Sequence, residues 1–473
     1  MNLLASVASS GQALDVFQRA LGVIQNNIDN ASTPGYATQQ AALSALPLDI
    51  AGGLAGGVAA RGLQNSRNEF ADAEVRRQLQ LLGEYTTESQ NLDSVQNLFD
   101  VTGNSGIPAG LSKLFQAFSA WSASPGDTAA RQAVIDAAGT LADAVRGLSQ
   151  SLADSAAQLD SQVGSTIQQI NTLAGAVRTY NKQRMQGPEA DPAADASLHA
   201  NLENLSQLTN ITTLMQADGT VTVLAGGGTP LVMGDQQFDL SSSVTLAVTP
   251  PAANPQSPPS EHVLDWEGKD ITANITSGQL GGLLDVRNRV LAGISGDAQQ
   301  PGLLNRFAKS LADSVNQILQ SGRVSSAAGA AAGSALFTYD NSDATLAAGS
   351  LKVTSITPDQ LAPVDSTGTS NGNALRLASL ANTSQTGLGG LSLTGFFSQI
   401  AANAGQESQT ATTNKTAQEQ TAAYARSLRD QMSGVSLDAE AIRLIEFQRG
   451  YQAAARVLSV LSDLVDRTIQ MIP

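Results

Sequence analysis

The stretch Asn26-Asn27-Ile28-Asp29-Asn30-Ala31-Ser32-Thr33-Pro34-Gly35-Tyr36 closes one kind of structure and opens another. Pro34 has no amide hydrogen to continue a helix, and it biases Thr33 toward an extended backbone. Pro-Gly at the two central positions fits a type II turn, so the helix ends near Asn30. Upstream of that stop the apolar residues repeat every seven. Val7, Leu14, Leu21 and Ile28 form one line, and Leu3, Phe17 and Ile24 a second, interrupted at Ser10. Over about four heptads this is the a/d seam of a coiled-coil helix.

The same arithmetic returns at the other end. Leu444, Tyr451, Leu458, Val465 and Ile472 form one line, and Phe447, Ala454, Leu461 and Thr468 the other. Ser436 suits the N-cap, Asp438 and Glu440 sit in the first turn where the helix dipole favours anions, and Gly434 ends the helix before it. An intramolecular helical hairpin and a seam between copies are both compatible with these heptads. The second is favoured, because a lone two-helix hairpin buries too little apolar surface to offset its ordering entropy.

Between the ends, residues 37 to 68 are Gly- and Ala-rich, with Gly-Gly at 52/53 and 56/57, and read as an extended connector. Helical patterning runs from Asn68 to Phe99. After a break containing Gly103, Gly106 and Pro108 a helix covers Leu111 to Trp121. Another follows Ser124-Pro125-Gly126, with Ser124 as the expected cap and Pro125 at the first helical position. From Thr128 to about Met185 apolar residues alternate in steps of three and four. Even 45 residues of such a helix make a rod about 65 Å long. A rod of that length needs partners, and 68–99, 301–321 and 394–432 are the candidates.

Between about 211 and 275 the texture becomes β-like. Thr212-Thr213-Leu214-Met215, an Asp218-Gly219 turn and Val221-Thr222-Val223-Leu224 read as a hairpin. A Pro-rich piece runs from Pro250 to Pro259, and a second short β-like stretch lies at Leu336 to Ile356. The fold expected is mainly α with a β-rich insertion, nested so that the chain goes out and comes back. Residues 1–60 plus 433–473 form a terminal coiled-coil domain, 61–210 plus 276–432 a long helical rod domain with the β-like stretch 335–357, and 211–275 a small outer β domain.

Composition excludes much. Aromatics make up 4% and charged residues 14% of 473 residues, so the core must be built mainly from Leu, Val, Ile and Ala. A net charge of -15 repels phosphate, and nucleic acid is not expected as a partner. The absence of cysteine removes disulfides, thiolate metal sites and cysteine nucleophiles. The N-terminus lacks the basic and apolar regions of a cleaved secretory signal. No window approaches the roughly 20 apolar residues of a membrane span, so membrane insertion is not expected.

Residues placed to carry chemistry are few. His199 and His262 are isolated from one another and from any ligand spacing, and are expected to be solvated polar residues. Gly226-Gly227-Gly228 and Gly281-Gly282 fit neither dinucleotide- nor phosphate-binding loops, and no nucleophile elbow occurs. No cofactor, metal or catalytic residue is expected, and the chain reads as a non-enzyme.

The closing motif Asn26 to Tyr36 resembles the signature of bacterial flagellar rod, hook and hook-associated axial proteins, departing from it at Ser32, where Asn is usual. Leu444-Ile445-Glu446-Phe447-Gln448-Arg449-Gly450-Tyr451-Gln452-Ala453-Ala454-Ala455-Arg456-Val457 resembles the C-terminal signature of the same family. In the interior, Phe115, Phe118, Trp121, Ser124-Pro125-Gly126-Asp127, Arg131-Gln132-Ala133-Val134, Gln279 to Arg287 and the helix through Asn316 are similar to the hook-associated protein 1 branch. The resemblance implies a structural subunit of the hook-filament junction, with a hook or distal-rod subunit as the alternative.

The resemblance further implies self-assembly into a ring or helical layer, contact with the hook protein and a second junction protein, and a flagellar export chaperone on the C-terminal helix. Its location is the extracellular flagellum, reached by type III export without a cleaved signal. The candidate assembly residues are Val7, Leu14, Phe17, Leu21, Ile24 and Ile28 on the first helix and Asn30, Thr33, Pro34, Gly35 and Tyr36 in its closing motif. On the last helix they are Leu444, Phe447, Gln448, Tyr451, Leu458, Leu461 and Val465.

Overall fold

The computed structural model describes residues 3–49, 54–99, 105–187, 191–244 and 260–471. Gly52, Gly53, Gly103, the Pro250–Pro259 piece and Ile472 lie outside them, as does the side chain of Leu3. Helix α1 (Leu3–Asp29) ends where the motif requires. The Tyr36 amide donates to the Thr33 carbonyl at 3.2 Å, and Gly35 takes φ +76° at the second central position of the turn.

The segment expected as a connector is instead an antiparallel hairpin, β1 (Gln39–Asp49) and β2 (Leu54–Asn65), with a bulge between Ala41 and Leu43. Its small residues carry little alternation in the sequence. Backbone pairing and cover from α1 hold it, neither of which leaves a periodic signal.

Helix α2 (Glu69–Gln96) is capped by Asn68, whose side chain accepts from the amides of Phe70 and Ala71. Helix α3 (Gly106–Ala123) starts earlier than expected and carries Pro108 in its first turn, where an amide hydrogen has no helical partner to lose. The long helix α4 (Thr128–Gln186) is unbroken for 59 residues, about 88 Å. Its cap is not Ser124 but Asp127, whose carboxylate accepts from the Ala129 amide at 2.9 Å, so Pro125 lies in the preceding turn.

The 301–321 helix touches α4 as expected, but the main partners of α4 differ from expectation. Helix α4 packs on α3 toward its start and on α5 (Pro192–Leu208) toward its end. The 68–99 helix pairs instead with the returning helix at 393–433, antiparallel, through Gln78 with Gln418 and Ser89 with Thr412.

The hairpin read from Thr212 to Leu224 is present as β3 (Ile211–Met215) and β4 (Val221–Ala225), with Gly219 at φ +81° in its turn. Strands β5 (Thr229–Met233) and β6 (Gln236–Gln237) complete a four-stranded antiparallel sheet, and β7 (Ser241–Ser243) pairs with β8 (His262–Leu264). The sheet is welded to the rod by the buried Asn181 of α4. This side chain donates to the carbonyls of Val221 and Gly234 and accepts from the Val221 amide, each at 2.8 Å.

Helix α6 (Gly278–Asp285) runs into a π turn, Val286–Leu291, and α7 (Ala292–Ser295). The π turn aims consecutive side chains at three elements. Arg287 pairs with Asp160 of α4 at 2.7 Å, Asn288 bonds the Glu261 backbone, and Arg289 reaches Glu407 at 3.0 Å.

Helix α8 (Leu303–Gln320), the two-residue pair β9 (Phe337–Thr338) and β10 (Lys352–Val353), α9 (Ala347–Ser350) and α10 (Gly372–Ser379) fill in around the start of α4. The chain returns along α11 (Leu393–Ser433) and ends in α12 (Leu437–Gln470). The main hydrophobic core runs from Leu92 to Ala411 and includes the inner face of the β insertion, through Val221, Val223, Leu231 and Val263. Among the described residues, neither terminal helix contributes to it.

Candidate assembly module

Helix α1 lies between the β1–β2 hairpin on one side and α12 on the other. Ser9 donates to the Gly56 carbonyl at 2.8 Å on the hairpin side. On the α12 side Phe17 meets Phe447 edge to face, with ring centroids 6.1 Å apart. Gly450 lets this contact form, since a Cβ there would stand 2.9 Å from the Phe17 ring.

The structure pairs α1 with α12 within one chain, where a seam between copies was the favoured expectation, and it brings the candidate residues Phe17 and Phe447 together. Ile24 is buried, and Val7, Leu14, Phe17, Leu21 and Ile28 are half-buried on α1. On α12 Leu444, Phe447, Tyr451, Leu458, Leu461 and Val465 are half-buried, whereas Gln448 is exposed. Asn30, half-buried, closes α1 by donating to the Asn26 carbonyl and accepting from the hydroxyl of Thr33, while Thr33 and Pro34 themselves are exposed.

The centre of the module is a residue absent from the predicted set. Asn27 is fully buried; its amide nitrogen donates to the Gln39 carbonyl at 2.8 Å and to Glu440 Oε2 at 3.2 Å. Its oxygen accepts from the Gln39 amide at 2.9 Å and stands 2.9 Å from the Tyr36 hydroxyl. One side chain thus ties helix, turn, strand and the opposite terminal helix. Glu440, expected only to cap, is 1% exposed and also pairs with Arg443 at 2.9 Å. Burial, and then the Glu440 charge, push the Tyr36 phenol up to about 12, so it stays a neutral donor.

A second set of bonds joins the module to the rod. The Ser433 carbonyl accepts from the Thr38 amide at 2.9 Å and from the Ser66 hydroxyl at 3.1 Å. The Ser433 hydroxyl accepts from the Asn68 amide at 3.0 Å, and Thr38 donates to the Gly434 carbonyl at 2.8 Å. Beside this joint, Arg67 bonds Asp72 at 3.1 Å, Asp195 at 2.8 Å and the Gly35 carbonyl at 2.7 Å. Gly35 is held so close to α5 that a Cβ would fall 2.3 Å from the Ala196 carbonyl oxygen.

His199 belongs to this buried node, which corrects the expectation that both histidines are solvated. It is 3% exposed, and burial followed by Arg67, Arg76 and Arg429 pushes its pKa down to about 2, keeping it neutral. His262 is half-buried and paired with Asp270 at 2.8 Å. Asn27, Thr38, Arg67 and Ser433 were invisible to periodicity because their value lies in partners distant along the chain. Only Asn27 lay inside the motif already singled out.

Comparisons with known proteins agree with this architecture. The family profile of the flagellar hook-associated protein FlgK helical domain matches residues 92–337, and that of the flagellar basal body rod FlgEFG protein C-terminal region matches 429–471. The flagellar hook-associated protein 1 of Bacillus subtilis (strain 168) is 25% identical, over 97% of this chain and 96% of its own length. That of Salmonella typhimurium is 28% identical over 67% of this chain and 56% of its own. The solved flagellar hook junction protein FlgK from Burkholderia pseudomallei shares the fold, with a TM-score of 0.63 at 14% identity, over 76% of this chain and 100% of that one. With one profile spanning residues 92–337 of 473, this chain belongs to the FlgK family of flagellar hook-associated proteins, structural and non-enzymatic subunits of the hook-filament junction.

Proposed function

We propose that the chain joins the flagellum by packing copies side by side through the terminal module, forming a ring or helical layer between hook and filament. The observation that carries this reading is the separation of the module from the rod core, combined with apolar residues left open on α12. Ile442, Ile445, Val457, Val460 and Leu464 are all exposed in the single chain. Apolar side chains left exposed at intervals along one helix face are a signature of a face awaiting a partner.

Within the layer, the subunit contacts the hook protein below and a second junction protein above, and residues 1–60 with 433–473 act as the assembly domain. Before assembly, an export chaperone covers the C-terminal helix, and the chain leaves through the flagellar type III apparatus without a cleaved signal. An α12 with so little burial of its own is well suited to threading a channel unfolded. The candidate seam residues act here by holding α1 to α12, so that the pair is presented as one unit.

Removing residues 3–30 or 436–471 tests the proposal in a host strain lacking its own copy. Electron microscopy and immunodetection on isolated flagella should find neither truncated chain in the axial structure. A truncated chain still incorporated at the hook tip would sink it.

A further inference from the structure

The terminal module has two open faces of different character. At 100° per residue, Arg19, Val23 and Asn26 lie about 180° around α1 from Phe17 and Leu21, which face α12. With Tyr36, Leu63 and the start of α5 they line a groove of ≈ 780 Å³ between α1, the hairpin and the rod. On α12 the exposed Ile442, Val457, Val460 and Leu464 form a stripe roughly 130° from the Phe447–Leu458 seam. The order across the module is therefore groove, α1, α12, stripe.

We infer that the α12 stripe of one copy seats in the α1–hairpin groove of the next, which makes the contact head-to-tail. This rests on the assembly reading above and names the surfaces it uses. Because donor and acceptor faces lie on roughly opposite sides of one two-helix layer, each copy added leaves the same faces open. Repetition then closes a ring or continues as a helix, whereas stripe-to-stripe pairing would stop at a two-fold dimer.

Charge placement supports this pairing. Arg449, Arg456 and Arg467 edge one margin of the stripe, and the outer margin of the open α1 face carries Asp15 and Asp29, all of them exposed. Glu446, which lies within the stripe at the azimuth of Leu464, would meet the groove where Arg19 and Arg61 are exposed. The groove's own carboxylate, Asp191, is engaged in capping α5 through the Ala193 amide at 2.9 Å.

The chain contains no cysteine, so introduced thiols report contacts without background. Full-length Leu63→Cys and Val460→Cys chains, separately and combined, would be expressed in a host strain lacking its own copy. Isolated flagella would then be treated with a short bis-maleimide. A second pair, Ala60→Cys with Ala453→Cys, removes no large apolar side chain and covers the case in which the first pair fails to incorporate.

The double variants should give ladders of dimers and higher species, with peptides around 63 or 60 joined to peptides around 460 or 453. Co-expressed single variants should stop at one heterodimer. Normal incorporation of the second pair without groove-to-stripe links, or dimers from Val460→Cys or Ala453→Cys alone, would overturn the inference and leave the assembly reading standing. Failure of that reading is seen separately, as incorporation of the truncated chains.

Discussion

Asn27 shows how much one buried amide can organise. Replacing it with alanine leaves the Gln39 amide and carbonyl buried without that partner and removes the bond to Glu440. Unmet buried polar groups cost about 1–3 kcal/mol each, so Asn27→Ala should loosen α1 and the hairpin together. Hydrogen exchange would show lost protection over residues 3–49 and unchanged protection in α4. Tyr36 makes the module sensitive to alkali. In the unfolded chain its phenol titrates near the ordinary 10.0, whereas the folded one holds its proton to about 12. Between those values the folded state binds more protons, so stability falls as pH rises. Tyr36→Phe should flatten that slope in far-ultraviolet denaturation curves taken from pH 9 to 12. An unchanged slope would assign the alkaline loss to another group.

At the level of elements, the two terminal helices are held to each other by a seam and to the rod by a joint of few residues. A charge placed on the seam should separate these contributions. Leu458→Asp or Leu21→Asp sets a carboxylate against the opposing helix, where burial of an unpaired charge is strongly disfavoured. We expect both variants to be absent from isolated flagella while the melting of the rod, followed by the near-ultraviolet signal of the buried Trp121, stays where it was. A collapse of that signal would make the terminal helices part of the ordinary core. The hairpin teaches a different lesson: its strands are real elements built from residues that carry no strong strand pattern, and α1 supplies the cover that their own side chains do not.

Across the molecule, a core from Leu92 to Ala411 stands beside a module whose described residues share none of it. The rod also contains a cluster of carboxyls where α2, α6 and α11 meet. Burial first, and then Asp285, push Glu84 up to about 7 and Glu88 to about 8 from the ordinary 4.5. Such groups hold protons in the fold that the unfolded chain has released. Stability from this cluster is therefore full below about pH 4.5 and is lost as pH rises toward 8. Glu88→Gln should raise the melting temperature at pH 8.5 and change it little at pH 4. An equal effect at both values would point to packing rather than titration.

The sequence alone determined what depends on neighbours in the chain: the period-seven lines on both terminal helices, the stop at Pro34-Gly35, the Ser436 cap, a long helix from Thr128 to about Met185 and the Asp218-Gly219 hairpin. Those signals are local because helix periodicity, caps and tight turns are set within a few residues. The tertiary structure decided which helices lie together, that residues 39–65 pair as strands, and that His199 is buried in a node with Arg67. It also decided that Asn27 meets Glu440, 413 positions away. A polar residue in a sequence looks the same whether water or a distant carboxylate satisfies it. Only the closed fold, by excluding water from that spot, turns Asn27 from one more amide into the bond between the two ends of the chain.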